Sequence, residues 1–283
     1  MNNLVKYQNE FCDKESVDTF EEGRILLLDE LRARGILKLV KDAEKTDRSD
    51  EMRGHLIDVG CGVGTLTKWL AEHFESTTGI DSSLEKIRRA KEANTSRNTE
   101  FIVGKAEKLP ADDKSADVIT ATFVIFFTDV NAFVSECLRV LKDGGIAVFW
   151  TDCWSSGYHV DGKMTDYPDA THLIQEMNRE LLEIARKKSH PEFHIYDNHE
   201  TLFKEIKVTE KKSLVSDYME IDMSLAQLKK RQLTIPFNRV LGQKEPIHSF
   251  AKKLKVLWKK EDIPDEDIKL RMSVKAFPIV LKK

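Results

Sequence analysis

Apolar residues recur at helical spacing over residues 20–45. Ile25, Leu26, Leu27, Leu31, Ile36, Leu37 and Val40 stand there among charges, the pattern of a helix with one buried face. A polar stretch, 45–52, separates it from a different rhythm. Residues 55–59 form a short strand-like run that ends in glycines, and 66–74 reads as helix. Residues 77–81 are strand-like, and Ser82-Ser83-Leu84-Glu85 offers a capping box for a helix over 83–94. A third strand is predicted over 100–104. A fourth, over 117–124, is a nearly continuous apolar and β-branched run, which suits a strand buried on both faces. Helix 130–141 is stopped by Lys142-Asp143-Gly144-Gly145, and the fifth strand spans 146–151.

Strand alternating with helix implies an α/β fold with a doubly wound, mostly parallel sheet and helices on both faces. Past Asp152 the alternation stops. Residues 154–168 are aromatic and irregular, and 169–188 reads as a long amphipathic helix. Ile206, Val208 and Leu214 among charges predict a strand over 204–215. Helices are predicted near 223–232 and 247–259, and one final strand over 272–281.

Composition narrows the function classes. The chain has 283 residues, 41% hydrophobic and 33% charged, an ordinary globular balance. Its net charge of −3 disfavours nucleic acid as the main partner. Cys12, Cys61, Cys137 and Cys153 make no C-x-x-C pair, so neither a metal site nor a redox motif is expected. The absence of a signal-like start, and of any apolar run near the ~20 residues that span a bilayer, predicts a soluble, cytoplasmic protein without membrane partners.

The chemical signal lies in Asp58-Val59-Gly60-Cys61-Gly62-Val63-Gly64-Thr65, between a strand and a helix. Glycines let a turn bend tightly and let backbone approach a ligand, and the crevice at the strand ends is where open α/β sheets bind ligands. Asp81 ends the second strand about 20 residues after that turn, where a carboxylate can accept both ribose hydroxyls. The spacing is G-x-G-x-G, with Thr65 where a dinucleotide fingerprint wants a third glycine, which argues against an NAD-dependent oxidoreductase.

Residues 56–64 resemble motif I of the class I, S-adenosylmethionine (SAM)-dependent methyltransferases. Gly79-Ile80-Asp81-Ser82-Ser83 resembles the second motif, Ala106-Glu107-Lys108-Leu109-Pro110 the loop bordering adenine, and residues 138–145 the turn into the fifth strand. The resemblance implies a Rossmann-like seven-stranded sheet with helical cap insertions and SAM as cofactor. It implies that Gly60, Cys61, Gly62 and Gly64 shape the backbone around the methionine part, with Asp58 orienting the loop. Asp81 and Ser82 would serve the ribose; Lys105, Ala106 and Glu107 would flank adenine; Thr122 and Phe123 would lie beneath the sulfonium. Lys105 departs from the family's usual Asp, and a lysine cannot accept the adenine amino hydrogen bond. Three parts are then expected within one domain overall: an N-terminal lid and helix over 1–50, the SAM-binding core over 51–152, and cap insertions plus the last strands of the same sheet over 153–283.

The second half is similar to the trans-aconitate methyltransferase-like subgroup, except that Phe126-Phe127 replaces its His-Trp pair and makes the substrate pocket more apolar. Acceptor-side candidates follow the fifth strand: Asp152, Trp154, Tyr158, His159 and Tyr167. Trp154 and Tyr158 would wall the pocket, and His159 is the candidate acid–base or anchoring residue, with an exposed loop histidine as the alternative. Residues 7–20 either fold over the cofactor or form a loose terminus. The expected partner is a small-molecule acceptor (carboxylate, amine or hydroxyl), and the expected assembly a monomer or weak homodimer. A non-catalytic SAM-binding or scaffold protein is the rival reading. Protein methylation stays open, and Thr122-Phe123-Val124-Ile125 lacks the N/D-P-P-Y/F motif of base and amide methylases.

Overall fold

A computed structural model describes residues 17–18, 26–44, 52–159, 170–187, 199–208, 210–213, 219–234 and 244–283. In chain order the elements are α1 (Leu26–Glu44), β1 (Arg53–Val59), α2 (Thr65–Ala71), β2 (Phe74–Asp81), α3 (Leu84–Glu92), β3 (Thr99–Val103) and β4 (Ala116–Thr122). Next come a 3-10 turn (Ile125–Phe127), α4 (Val130–Val140), β5 (Leu141–Trp150), β6 (Asp152–His159), α5 (Thr171–Lys187) and α6 (His199–Glu205). The chain closes with β7 (Lys211–Ser213), β8 (Met219–Ser224), α7 (Leu225–Thr234), α8 (Glu245–Leu257), β9 (Lys269–Ala276) and β10 (Ile279–Lys282).

Seven strands form the main sheet in the order β3-β2-β1-β4-β5-β10-β7. The first five pair in parallel, and β10 runs antiparallel to both neighbours. The expected mostly parallel seven-stranded α/β sheet is therefore present. Its period-2 side chains serve two cores. Leu56, Val118, Ile146, Val148, Trp150 and Val280 face α1 and α2. Ile57, Ile119, Ala147, Phe149, Ile279 and Leu281 face α4 and α6. Strands sandwiched in this way must be apolar at nearly every position, which is why they read as unbroken runs.

A second, three-stranded antiparallel sheet, β6-β9-β8, lies beside the first. With α5, α7 and α8 it encloses its own core, including Ile174, Met177, Phe250, Leu254, Trp258 and Met272. Two connections join the sheets. The chain leaves β5 at Thr151 to enter β6, and returns from β9 through Phe277-Pro278 to β10. Phe277 N donates to Thr151 O at 2.8 Å and Thr151 Oγ1 to Phe277 O at 3.2 Å, stitching the connections together. Helix α1 bridges both bodies: Leu28 packs in the core of the second sheet, whereas Ala33, Ile36 and Val40 pack on the main sheet.

Four sequence expectations need correction. Of the strand predicted over 204–215, only the three-residue β7 is strand; residues 204–205 close helix α6 and 206–208 are irregular. Ile206 is buried one turn after Leu202, whose carbonyl its N–H reaches at 3.2 Å, a helical spacing and not an alternation. The single strand over 272–281 is two strands in two sheets, because Pro278 cannot donate to a ladder. Residues 152–159 are strand rather than irregular. The cap of α3 is Ser83, whose hydroxyl accepts from Lys86 N at 3.3 Å, one residue later than the predicted box; Glu85 instead pairs with Arg88 and Arg89. Among the described residues, no helix is long and apolar enough to cross a membrane.

Candidate functional site

The main sheet delivers three segments to its carboxyl edge: the glycine loop after β1, the loop after β3 and the end of β4. The glycine loop passes through the left-handed region at Gly60 (φ 69°) and Gly62 (φ 58°), a conformation that glycine adopts without a Cβ penalty. Gly60 N and Cys61 N both donate to Ile80 O, at 2.6 and 3.0 Å, so these amides sew the loop to β2 rather than face a ligand. Gly62 N donates to Asp81 Oδ2 at 3.0 Å, and Ser83 N to Asp81 Oδ1 at 2.9 Å. Each Asp81 oxygen keeps acceptor capacity beyond that bond. A Cβ on Gly60 would stand 2.0 Å from Val124 Cγ2, whereas one on Gly62 would meet no described residue within 4 Å. Gly62 thus borders open space beside Asp81.

Asp58 acts one layer below. Its carboxylate accepts from Thr67 Oγ1 at 2.6 Å and Thr120 Oγ1 at 2.8 Å, tying α2 and β4 to the end of β1. It supports the loop through these elements. Cys61 is buried, and desolvation, with Asp58 and Asp81 nearby, pushes its thiol well above the ordinary range. The thiol therefore fills space as a neutral group instead of acting as a nucleophile.

In the loop after β3, Lys105 is exposed and bridges to Lys108, and Ala106 is buried. Glu107 Oε1 accepts from Asp129 N at 3.1 Å, and Ser82 is exposed. Two α4 residues, Glu136 and Arg139, fix this loop. Leu109 N donates to Glu136 Oε2 at 2.9 Å, while Arg139 donates to Leu109 O at 3.1 Å and Ala111 O at 2.9 Å. Hydrogen bonding from Arg139, helped by the Leu109 amide, holds the Glu136 carboxyl below its ordinary range. A folded pKa below the unfolded one stabilises above the unfolded value, about 4.3, and that stability disappears as pH falls through the folded pKa. Thermal melts of the wild type should therefore drop more steeply below about pH 4.3 than those of Glu136→Gln; parallel acid limbs would refute this role for Glu136.

At the end of β4, the Thr122 hydroxyl is buried and has no hydrogen-bond partner among the described residues, and such a group in a native interior asks for one. Phe123 follows at φ 60°, an uncommon conformation for a residue with a Cβ. Its N–H donates to Trp150 O at 3.0 Å, and its ring lies 5.0 Å from the Arg32 guanidinium carbon. Phe127 is half-buried and packs against the core beneath α4. The Phe126 side chain lies outside the described residues.

Trp154, Tyr158 and His159 stand on β6, a strand of the second sheet. Their side chains, like all of Tyr167, lie outside the described residues. So does the 7–20 segment apart from Val17, which is buried, and Asp18, which pairs with Arg89 of α3. Asp152, a candidate acceptor-side group, is already committed. It accepts from Arg32 at 2.6 and 2.8 Å and from Trp150 Nε1 at 3.0 Å.

Residues 57–149 match a family model described as a methyltransferase domain. A demethylmenaquinone methyltransferase of Chlorobaculum tepidum is 38% identical over 99 residues, covering 34% of this chain and 40% of that protein. A malonyl-[acyl-carrier protein] O-methyltransferase of Halalkalibacterium halodurans is 30% identical over 154 residues, covering 50% and 56%. The chain thus spans about half the length, or less, of these curated relatives. A solved structure from Anaeromyxobacter dehalogenans, whose protein is inferred to be a type II methyltransferase, superposes with a TM-score of 0.59. It covers 85% of this chain and 94% of its own at 20% identity, a likeness of fold.

Proposed function

From a chain whose residues 57–149 match a methyltransferase domain, we propose a class I, SAM-dependent methyltransferase that moves the methyl group of SAM to a small-molecule acceptor. SAM supplies an activated methyl on a positively charged sulfur, and transfer needs an acceptor held in line with it.

This chain's residues fit that nucleoside on two observations. Among the described residues, nothing fills the space bordering Gly62 beside Asp81, and the buried Thr122 hydroxyl has no partner. Asp81 would accept from the ribose hydroxyls with lone pairs left over from Gly62 and Ser83. Gly62 would let backbone lie against the methionine part, and Ala106, with the Lys105 and Glu107 backbone, would border adenine. Thr122 and Phe123 would floor the reacting centre. The relatives are named for demethylmenaquinone and for malonyl-[acyl-carrier protein], which supports an organic acceptor. A carboxylate acceptor would need only an anchor; an amine or hydroxyl would need proton removal, for which His159 is the candidate.

The observation that carries the reading is the junction of Asp81, Gly62 and Ser83 at the sheet edge. Calorimetric titration with S-adenosylhomocysteine (SAH) should give saturable one-to-one association, and its absence would end the proposal. Lys105, exposed where a carboxylate is usual, favours a second reading as a SAM-binding protein without turnover. Methyl-labelled SAM incubated with extracted metabolites separates the two: label transferred to an organic product supports the enzyme, whereas binding without transfer supports the second reading.

A further inference from the structure

Arg32 lies on α1, outside every motif discussed above, and is 6% exposed. Its fork is bidentate on Asp152, Nε at 2.6 Å and Nη2 at 2.8 Å, and Nη1 donates to Asp29 at 3.2 Å. Burial works against its charge, but Asp152 and Asp29 hold its pKa above the ordinary value. An ion pair this deep is poor evidence for stability alone, because apolar residues of similar volume often replace such pairs without loss. What it does supply is fixed geometry.

The pieces it joins are telling. Asp152 is the first residue of β6, at the neck where the chain passes from the main sheet into the cap. Phe123, under the guanidinium face, is the left-handed residue at the end of β4. The next residue, Val124, fills the space beside Gly60 of the cofactor loop. Trp150, which donates to Asp152 and accepts from Phe123 N, is also seated on Gly35 of α1, where a Cβ would stand 2.4 Å from its ring. One helix therefore touches the floor of the site, the neck of the cap and, through Leu28, the cap core.

We infer that Arg32 is a positioning residue, which locks Phe123 and the cap neck in one register so that the acceptor side of the cleft is held over the cofactor floor. The inference rests on the proposed SAM site for its function, but its geometry can be read without ligand.

Hydrogen exchange of the full chain should be followed in wild type, Arg32→Met and Arg32→Lys. In Arg32→Met the amides of Phe123 and Phe277, which close on Trp150 and Thr151, should exchange about tenfold faster or more while those of β1 and β2 hold their rates. Arg32→Lys, with the cation but not the fork, should fall between. Uniform acceleration across the sheet, or none at the two amides, overturns the inference. If Arg32→Met fails to fold, Asp152→Asn gives the same reading with the cation retained. SAH titration of the same folded proteins, well below their melting temperatures, should show affinity about tenfold weaker in Arg32→Met, near 1.4 kcal/mol. Selective exchange with unchanged SAH affinity would leave a neck clamp with no reach to the site and so overturn the functional half. A wild type that binds no SAH sinks the proposed function instead, and the exchange data still decide whether Arg32 is a clamp.

Discussion

Asp81→Ala should bind SAH about 100-fold more weakly than wild type, or worse, while still folding. A hydrogen bond to a charged group contributes about 1.5–3 kcal/mol, and each 1.4 kcal/mol is about tenfold in affinity. Losing the acceptor for two ribose hydroxyls already reaches that figure. The substitution also frees the amides of Gly62 and Ser83, which Asp81 holds at 3.0 and 2.9 Å, so the loop loses its register. Asp81→Asn tests the two roles more finely. It keeps the shape but turns an amide NH2 toward one of those N–H groups, so it should also bind poorly. Calorimetry alongside thermal melts would check this. Affinity within twofold of wild type in both folded variants would remove Asp81 from the site.

Two glycines only two residues apart should fail in opposite ways when changed to alanine. Gly60→Ala should destabilise the protein by about 2–5 kcal/mol: roughly 1–2 for a left-handed alanine and about 1–3 for forcing Val124 aside. Against a typical total of about 5–15 kcal/mol this is severe. Gly62→Ala should cost only about 1–2 kcal/mol, because its new methyl meets no described residue. That methyl instead occupies the proposed ligand space, so a well-folded Gly62→Ala should lose SAH association. Urea melts paired with calorimetry read both. If Gly62→Ala bound normally, the open space would belong to something other than the nucleoside.

Much of the cofactor half was legible because its signals are local. A glycine loop and a carboxylate at the next strand end lie within short windows, and the backbone needs them there whatever surrounds them; the predicted glycine stop does not end α4, which closes on an extended Leu141. Glu136 and Arg139 were not legible. Their spacing is that of any solvated helix pair, and only the approach of the Leu109 loop turns them into its supports. Asp152 looked like a free acid beside the acceptor because its partner, Arg32, is 120 residues away. The end of the chain misled for a related reason. Residues 272–281 are β-prone throughout, and nothing local says that Pro278 hands the chain from one sheet to another.

The order of strands and helices through residue 150, the parallel sheet, and the place of the glycine loop and Asp81 within it follow from the chain's own pattern. Side-chain period and turn chemistry act between neighbours in sequence. Which amides Asp81 holds, that Phe123 turns left-handed under Arg32, and that 152–159 pairs with 269–276 were decided by the tertiary structure. Those contacts join residues far apart in the chain, and their energy exists only once distant segments have been brought together and closed off from water.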